Sequence, residues 1–301
     1  MTERVFAGAA EINLRLTLAP LRHGPRDPTM KLGYPHGEAW RALRTPDGPA
    51  TAHYFYERTD IRVAAWGPGA GWALEVAGDA IGVSDDHDSF DPADRVMRRL
   101  NVWRSGLRMC RSNAIMQALV PTIIEQKVTT VEAHRAYRNL VYRYGEPAPG
   151  PLPRLFLPPD PKLLASLPYE AFHPFGIEAR RADFIRTACS YAKRLEETAE
   201  MPRDAARKRL RALPGIGAWT VAEVERLALG DPDAVRPNDF HLPHTVAWVL
   251  AGERRADDER MMELLEPYRG HRARAALLIE LSGNTPPRRA PRMPVRHIER
   301  Y

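Results

Sequence analysis

Two periods of hydrophobic spacing divide this chain. Over residues 11 to about 84 the period is two. Glu11-Ile12-Asn13-Leu14-Arg15-Leu16-Thr17-Leu18 alternates polar and apolar, and so does Thr59-Asp60-Ile61-Arg62-Val63-Ala64. Such alternation predicts half-buried strands. Trp72-Ala73-Leu74-Glu75-Val76 is a further candidate strand. Pro46-Asp47-Gly48 and Gly67-Pro68-Gly69 supply turn chemistry between these runs.

From about residue 92 the period lengthens to that of a helix. Ile115, Leu119, Ile123 and Ile124 fall on one helical face. Val131 to Tyr144 predicts a helix stopped by Gly145 and Pro147. Residues 145–161 are a proline-rich connector. Further helices are expected at Arg180–Glu197, Ala205–Leu213, Ala218–Leu229, Asp239–Leu250, Asp257–Leu265 and Arg272–Leu281. The fold class is therefore α+β. An antiparallel β-rich domain spans 1–91, an all-helical domain 92–285, and a basic Pro/Arg-rich tail 286–301. The acidic stretch Asp85-Asp86-His87-Asp88 marks the boundary and reads as a solvated linker rather than a metal site.

The length of 301 residues accommodates two cores. The longest apolar runs are too short to span a bilayer, and Glu3, Arg4 and Glu11 interrupt the N-terminal segment where a signal peptide needs a continuous apolar stretch. A cytoplasmic, non-membrane protein is expected. Cys110 and Cys189 are too few for an iron–sulfur cluster and read as two buried, reduced thiols. A net charge of +6 and a pI near 9.5 suit a polyanionic partner. The excess is nearly all arginine, which fits genome composition as well as it fits phosphate binding.

The richest chemistry lies between Leu213 and His241, LPGIGAWTVAEVERLALGDPDAVRPNDFH. Leu213-Pro214-Gly215-Ile216-Gly217 joins two predicted helices. The glycines allow a turn where side chains would clash, and Ile216 can point inward and pin the arms. Backbone amides at the second helix's N-terminus then suit a phosphate, so a helix-hairpin-helix of this kind grips a DNA backbone without reading sequence. Beyond the loop at 230–238 stands Asp239, ahead of a further helix. It is a candidate N-cap; Asn238 could cap instead and leave the Asp239 carboxylate free.

The hairpin LPGIG, the pattern Gly-Ile-Gly-x-Trp-Thr, the spacing from Trp219 to Asp239 and the pairing Asp239-x-His241 resemble the helix-hairpin-helix DNA glycosylase superfamily. The closest resemblance is to its bacterial 3-methyladenine DNA glycosylase II branch. It covers the whole chain loosely and residues 105–285 well. It implies a monomeric protein acting on double-stranded DNA with damaged bases, near the nucleoid.

It also implies that Asp239 is the catalytic carboxylate, stabilising positive charge on the sugar of a flipped nucleotide and activating water. To do so it must be ionised. Trp219 stands where relatives that also cut the backbone carry a Schiff-base lysine, and none of the five lysines lies in the hairpin. A monofunctional enzyme is the result. Trp219, Phe240 and Tyr268 are the implied pocket aromatics, with core packing the alternative for Trp219. Gly215, Ile216 and Gly217 are the implied backbone contacts. Gln126 and Lys127 lie in the implied wedge loop, where Lys127 replaces an apolar residue and can meet a phosphate. The main-chain carbonyls of Arg211, Leu213 and Ile216 are the implied ligands of a Na⁺ or K⁺ ion when DNA is bound. No other cofactor is expected, and His241 and His244 read as structural or supporting residues. The rival readings are a glycosylase for hypoxanthine or uracil, a bifunctional enzyme, and a non-catalytic DNA-binding protein.

Overall fold

A computed structural model describes residues 1–33, 37–287, 295 and 298. The chain opens with β1 (Thr2–Phe6) and a short helix α1 (Leu14–Leu18), then β2 (Met30–Leu32), β3 (Ala39–Thr45), β4 (Gly48–Glu57) and β5 (Asp60–Trp66). The strands form one antiparallel sheet in the order β1-β5-β4-β3-β2. Helices α2 (Ala70–Glu75) and α3 (Ala77–Ala80) lead to α4 (Arg95–Trp103), α5 (Ile115–Glu125), α6 (Thr130–Tyr144) and α7 (Pro161–Ser166). Then follow α8 (Ala179–Ser190), α9 (Ala192–Glu196), α10 (Arg203–Arg211) and α11 (Ala218–Ala228). The last are α12 (Leu242–Ala251), α13 (Asp258–Leu265) and α14 (Arg272–Leu281). No helix among the described residues is long and apolar enough to cross a membrane.

The α+β class is as expected, and Pro46-Asp47-Gly48 turns β3 into β4. Two expected strands are helices. In 11–18, the Asn13 side chain accepts the Leu16 amide, capping α1, and Leu14 and Leu18 are buried one turn apart. The same residues satisfy alternation and the i, i+4 spacing of a helix, and the cap decides between them. In 72–76, Ala70, Ala73 and Ala77 share one buried face and seat α2 and α3 against the sheet. The expected helix 180–197 breaks at Tyr191 into α8 and α9. The tail call, 286–301, falls largely outside the described residues.

The acidic stretch is not simply a solvated linker. The Asp85 side chain is 3% exposed, lies 2.5 Å from Arg274 on α14, and accepts the Met109 amide at 2.9 Å. No group of three or more His, Cys, Asp or Glu among the described residues could hold a metal. Cys110 and Cys189 are free and buried, and burial pushes their thiols up to about 11 and about 12.

One apolar cluster runs from the inner sheet face through α5, α6 and α8 to α11. A second gathers α4, α12, α13 and α14. The segment between Leu229 and Leu242 therefore leaves one core and enters the other.

Candidate active site at the helical hairpin

Helices α10 and α11 form the hairpin. On α10, Arg207 donates to Glu225 of α11 at 2.8 and 3.2 Å, tying the arms together beyond the turn. In the turn, Ile216 is buried, as its sequence position predicts. Gly215 has φ 78°, and a Cβ there would fall 2.3 Å from the Phe184 ring. Gly217 differs. Its φ is −84°, and a Cβ would meet nothing within 4 Å. The requirement for glycine expected at both positions thus holds for Gly215 alone. What Gly217 provides is open space at the N-terminus of α11.

The loop after α5 braces this turn. The Gln126 amide donates to the Gly215 carbonyl at 3.0 Å and to the Thr220 hydroxyl at 2.9 Å. Lys127 follows, exposed, with a left-handed φ of 55°. Thr129 and Glu132 then close a capping box on α6. Gln126 is engaged with the protein, and Lys127 is the loop's outward side chain.

Asp239 lies ahead of α12, two residues before the N-cap position, which is His241, and its side chain takes the first amides. Its Oδ1 accepts the amides of His241 and Leu242, each at 3.0 Å. Asn238 does not cap α12; its own amide donates to Asp258. The second carboxylate oxygen, Oδ2, accepts the Trp219 indole N–H at 3.1 Å. Trp219 is therefore not simply core packing. From the first turn of α11 it holds the carboxylate, and it is only partly buried.

Arg236 approaches the same oxygen, with Nε 3.8 Å away. Sequence reading missed it, together with the charges behind it. Arg236 donates to Glu280 of α14 at 2.6 Å and lies 3.7 Å from Glu223 of α11, which Arg226 holds at 2.6 and 3.2 Å. The available signal was the acidic Glu223 inside the apolar run of α11, since a charge on a buried face needs a partner. Burial alone would raise the Asp239 carboxyl. Arg236, the two amides and the indole outweigh burial and hold it below the usual carboxylate range. The carboxylate is ionised at neutral pH, as its expected role demands.

The other expected site residues have these surroundings. Phe240 is 81% exposed, its ring against that of His241. Tyr268 lies in the second core, its hydroxyl donating to Asp94 at 2.5 Å and its ring near Phe90. His244 accepts the Ala256 amide at 3.1 Å, a structural role.

The architecture matches that of solved enzymes. A 3-methyladenine DNA glycosylase from Archaeoglobus fulgidus superposes with a TM-score of 0.74 at 19% identity, over 93% of this chain and 97% of that one. MBOgg1, solved with a low-affinity DNA ligand, gives 0.73 at 16% identity, over 94% and 97%. The fold is that of the helix-hairpin-helix DNA glycosylases. In sequence, the chain is 31% identical over 154 residues to the probable bifunctional transcriptional activator/DNA repair enzyme AlkA of Mycobacterium tuberculosis, covering 50% of this chain and 30% of that protein. The chain spans half or less of the length of the curated relatives it matches. No family model matches it. The two TM-scores are nearly equal, so the fold does not favour one of these neighbours over the other.

Proposed function

We propose that this protein is a monofunctional DNA glycosylase that flips alkylated purines out of duplex DNA and hydrolyses their N-glycosidic bonds. The observation that carries this reading is Asp239: a carboxylate kept ionised by fixed donors, between a glycine hairpin and the start of α12. As the bond between base and sugar breaks, its electron pair leaves with the base and C1′ gains positive charge. Asp239 stabilises that charge. Water then attacks C1′, and the carboxylate takes its proton.

The indole of Trp219 stands where a lyase would need an amine, which supports water as the nucleophile. A methylated purine such as 3-methyladenine is cationic. The partly buried Trp219 and the exposed Phe240 offer it aromatic faces, with an attraction of about 1 kcal/mol or more once desolvated. DNA would lie against Gly215, Ile216 and Gly217, with the open Cβ position of Gly217 facing a phosphate and Lys127 reaching another. The carbonyls of Arg211, Leu213 and Ile216 suit a monovalent cation. Leu213 accepts only the Ile216 amide among these turn contacts, and a carbonyl oxygen has a second lone pair to offer.

The test is release of free base from methylated duplex DNA, compared with hypoxanthine and uracil oligonucleotides. Asp239→Asn should lower release by at least about a hundredfold while DNA binding persists. Borohydride should trap no protein–DNA adduct. Equal release by both proteins, or preferential release of hypoxanthine or uracil, would overturn the reading or its choice of lesion.

A further inference from the structure

We propose that Arg236 is a positioning residue for Asp239: held from behind by Glu280 and Glu223, its guanidinium fixes the carboxylate and keeps it charged towards the DNA sugar. This rests on the reading of Asp239 given above.

Arg236 is three residues before Asp239, in the segment that passes from one core to the other. Its side chain is only 14% exposed. Each face of the guanidinium meets a different element. Nη2 donates to Glu280 on α14, Nη1 faces Glu223 on α11, and Nε faces Asp239 Oδ2. An arginine set this way is oriented before the carboxylate is considered, because two other carboxylates already hold it.

The arrangement also resolves a conflict. A lone cation beside Asp239 would keep it ionised yet cancel its field at the sugar, which is the field that catalysis needs. Here the cluster contains Arg226 and Arg236 against Glu223, Glu280 and Asp239. Two positive charges meet three negative ones, so one net negative charge remains in the cluster that includes Asp239. The charged groups facing Asp239 are thus Arg236 from its own segment, Glu223 backed by Arg226 from α11, and Glu280 from α14 acting through Arg236. The remaining donors, the Trp219 indole and the amides of His241 and Leu242, are neutral.

Removing either sign of charge should have opposite consequences. Arg236→Gln takes away the cation, so Asp239 protonates at higher pH. Single-turnover base release should then fall most at acid pH and recover as the pH rises. Arg236→Lys restores the charge and should return the acid limb towards that of the wild type. Glu280→Gln should not move the acid limb upward; it should lower the plateau several-fold, because the cluster loses its net negative charge.

The experiment is a pH profile of base release from methylated duplex DNA for these variants. A ¹³C NMR titration of the Asp239 carboxyl in the DNA-free protein accompanies it. Matching upward shifts in both for Arg236→Gln, reversed by Arg236→Lys, are expected. A profile scaled down uniformly with an unmoved Asp239 titration would reduce Arg236 to packing and overturn the proposal. If Arg236→Gln fails to fold, Arg236→Lys and Glu280→Gln decide, and an upward acid limb in Glu280→Gln overturns it. Should the wild type release no base from any lesion, the catalytic reading fails. The NMR titration would still establish whether Arg236 sets the charge of Asp239.

Discussion

Gly215 and Gly217 are two residues apart and do different things. Gly215 is in the left-handed region with Phe184 against its α-carbon, whereas Gly217 has an ordinary backbone and empty space. Gly215→Ala combines a left-handed penalty of about 1 kcal/mol with a clash against a ring, and should cost roughly 2 kcal/mol or more. Gly217→Ala should leave stability within about 0.5 kcal/mol. Urea midpoints check both. If a phosphate meets the α11 N-terminus, Gly217→Ala should still weaken binding to duplex DNA; unchanged affinity would remove Gly217 from the interface. Asp239 illustrates the same scale from the other side. It holds the first amides of α12 and is a candidate catalyst at once, one oxygen given to amides and the other to an indole.

Among the elements, the hairpin does not stand alone. Arg207 and Glu225 join its arms, and Gln126 fastens its turn to the end of α5. Gln126→Ala removes both turn contacts and leaves the Gly215 carbonyl and the Thr220 hydroxyl to find water. It should cost about 1–2 kcal/mol. Because the turn is the proposed phosphate site, DNA affinity should fall with stability; a variant that loses stability alone would separate the brace from binding. Hydrogen exchange at the hairpin amides reads the loosening directly.

At the scale of the molecule, two cores are joined by buried charge. Arg274 is 1% exposed and pairs with Asp85, so the stretch between sheet and helices is locked to α14. Asp85→Asn leaves a buried cation short of its partner and should cost about 3–5 kcal/mol, read as a lowered unfolding midpoint. Asp85→Asn combined with Arg274→Met should recover much of that loss, since the apolar replacement no longer needs a partner. Arg226, Arg236 and Arg272 are also largely buried and paired with carboxylates, whereas Arg203 and Arg207 pair with carboxylates from more exposed positions.

The sequence by itself determined the α+β class, most of the helices, the turn of the hairpin and the candidate carboxylate. Those features follow from local rules: spacing of apolar positions, glycine at a tight turn, and an acidic residue ahead of a helix. The helix at 14–18 is settled by the local Asn13 cap, whereas at 70–75 only the sheet beneath the segment chooses between the two periods. Tertiary structure alone turned Tyr268 into the second core, left Phe240 in solvent, and set Gln126 against the hairpin. It alone brought Glu223, Arg226, Arg236 and Glu280 behind Asp239. Ion pairs between distant elements leave no period in a sequence, since a charge reveals its partner only when the fold has removed water from both.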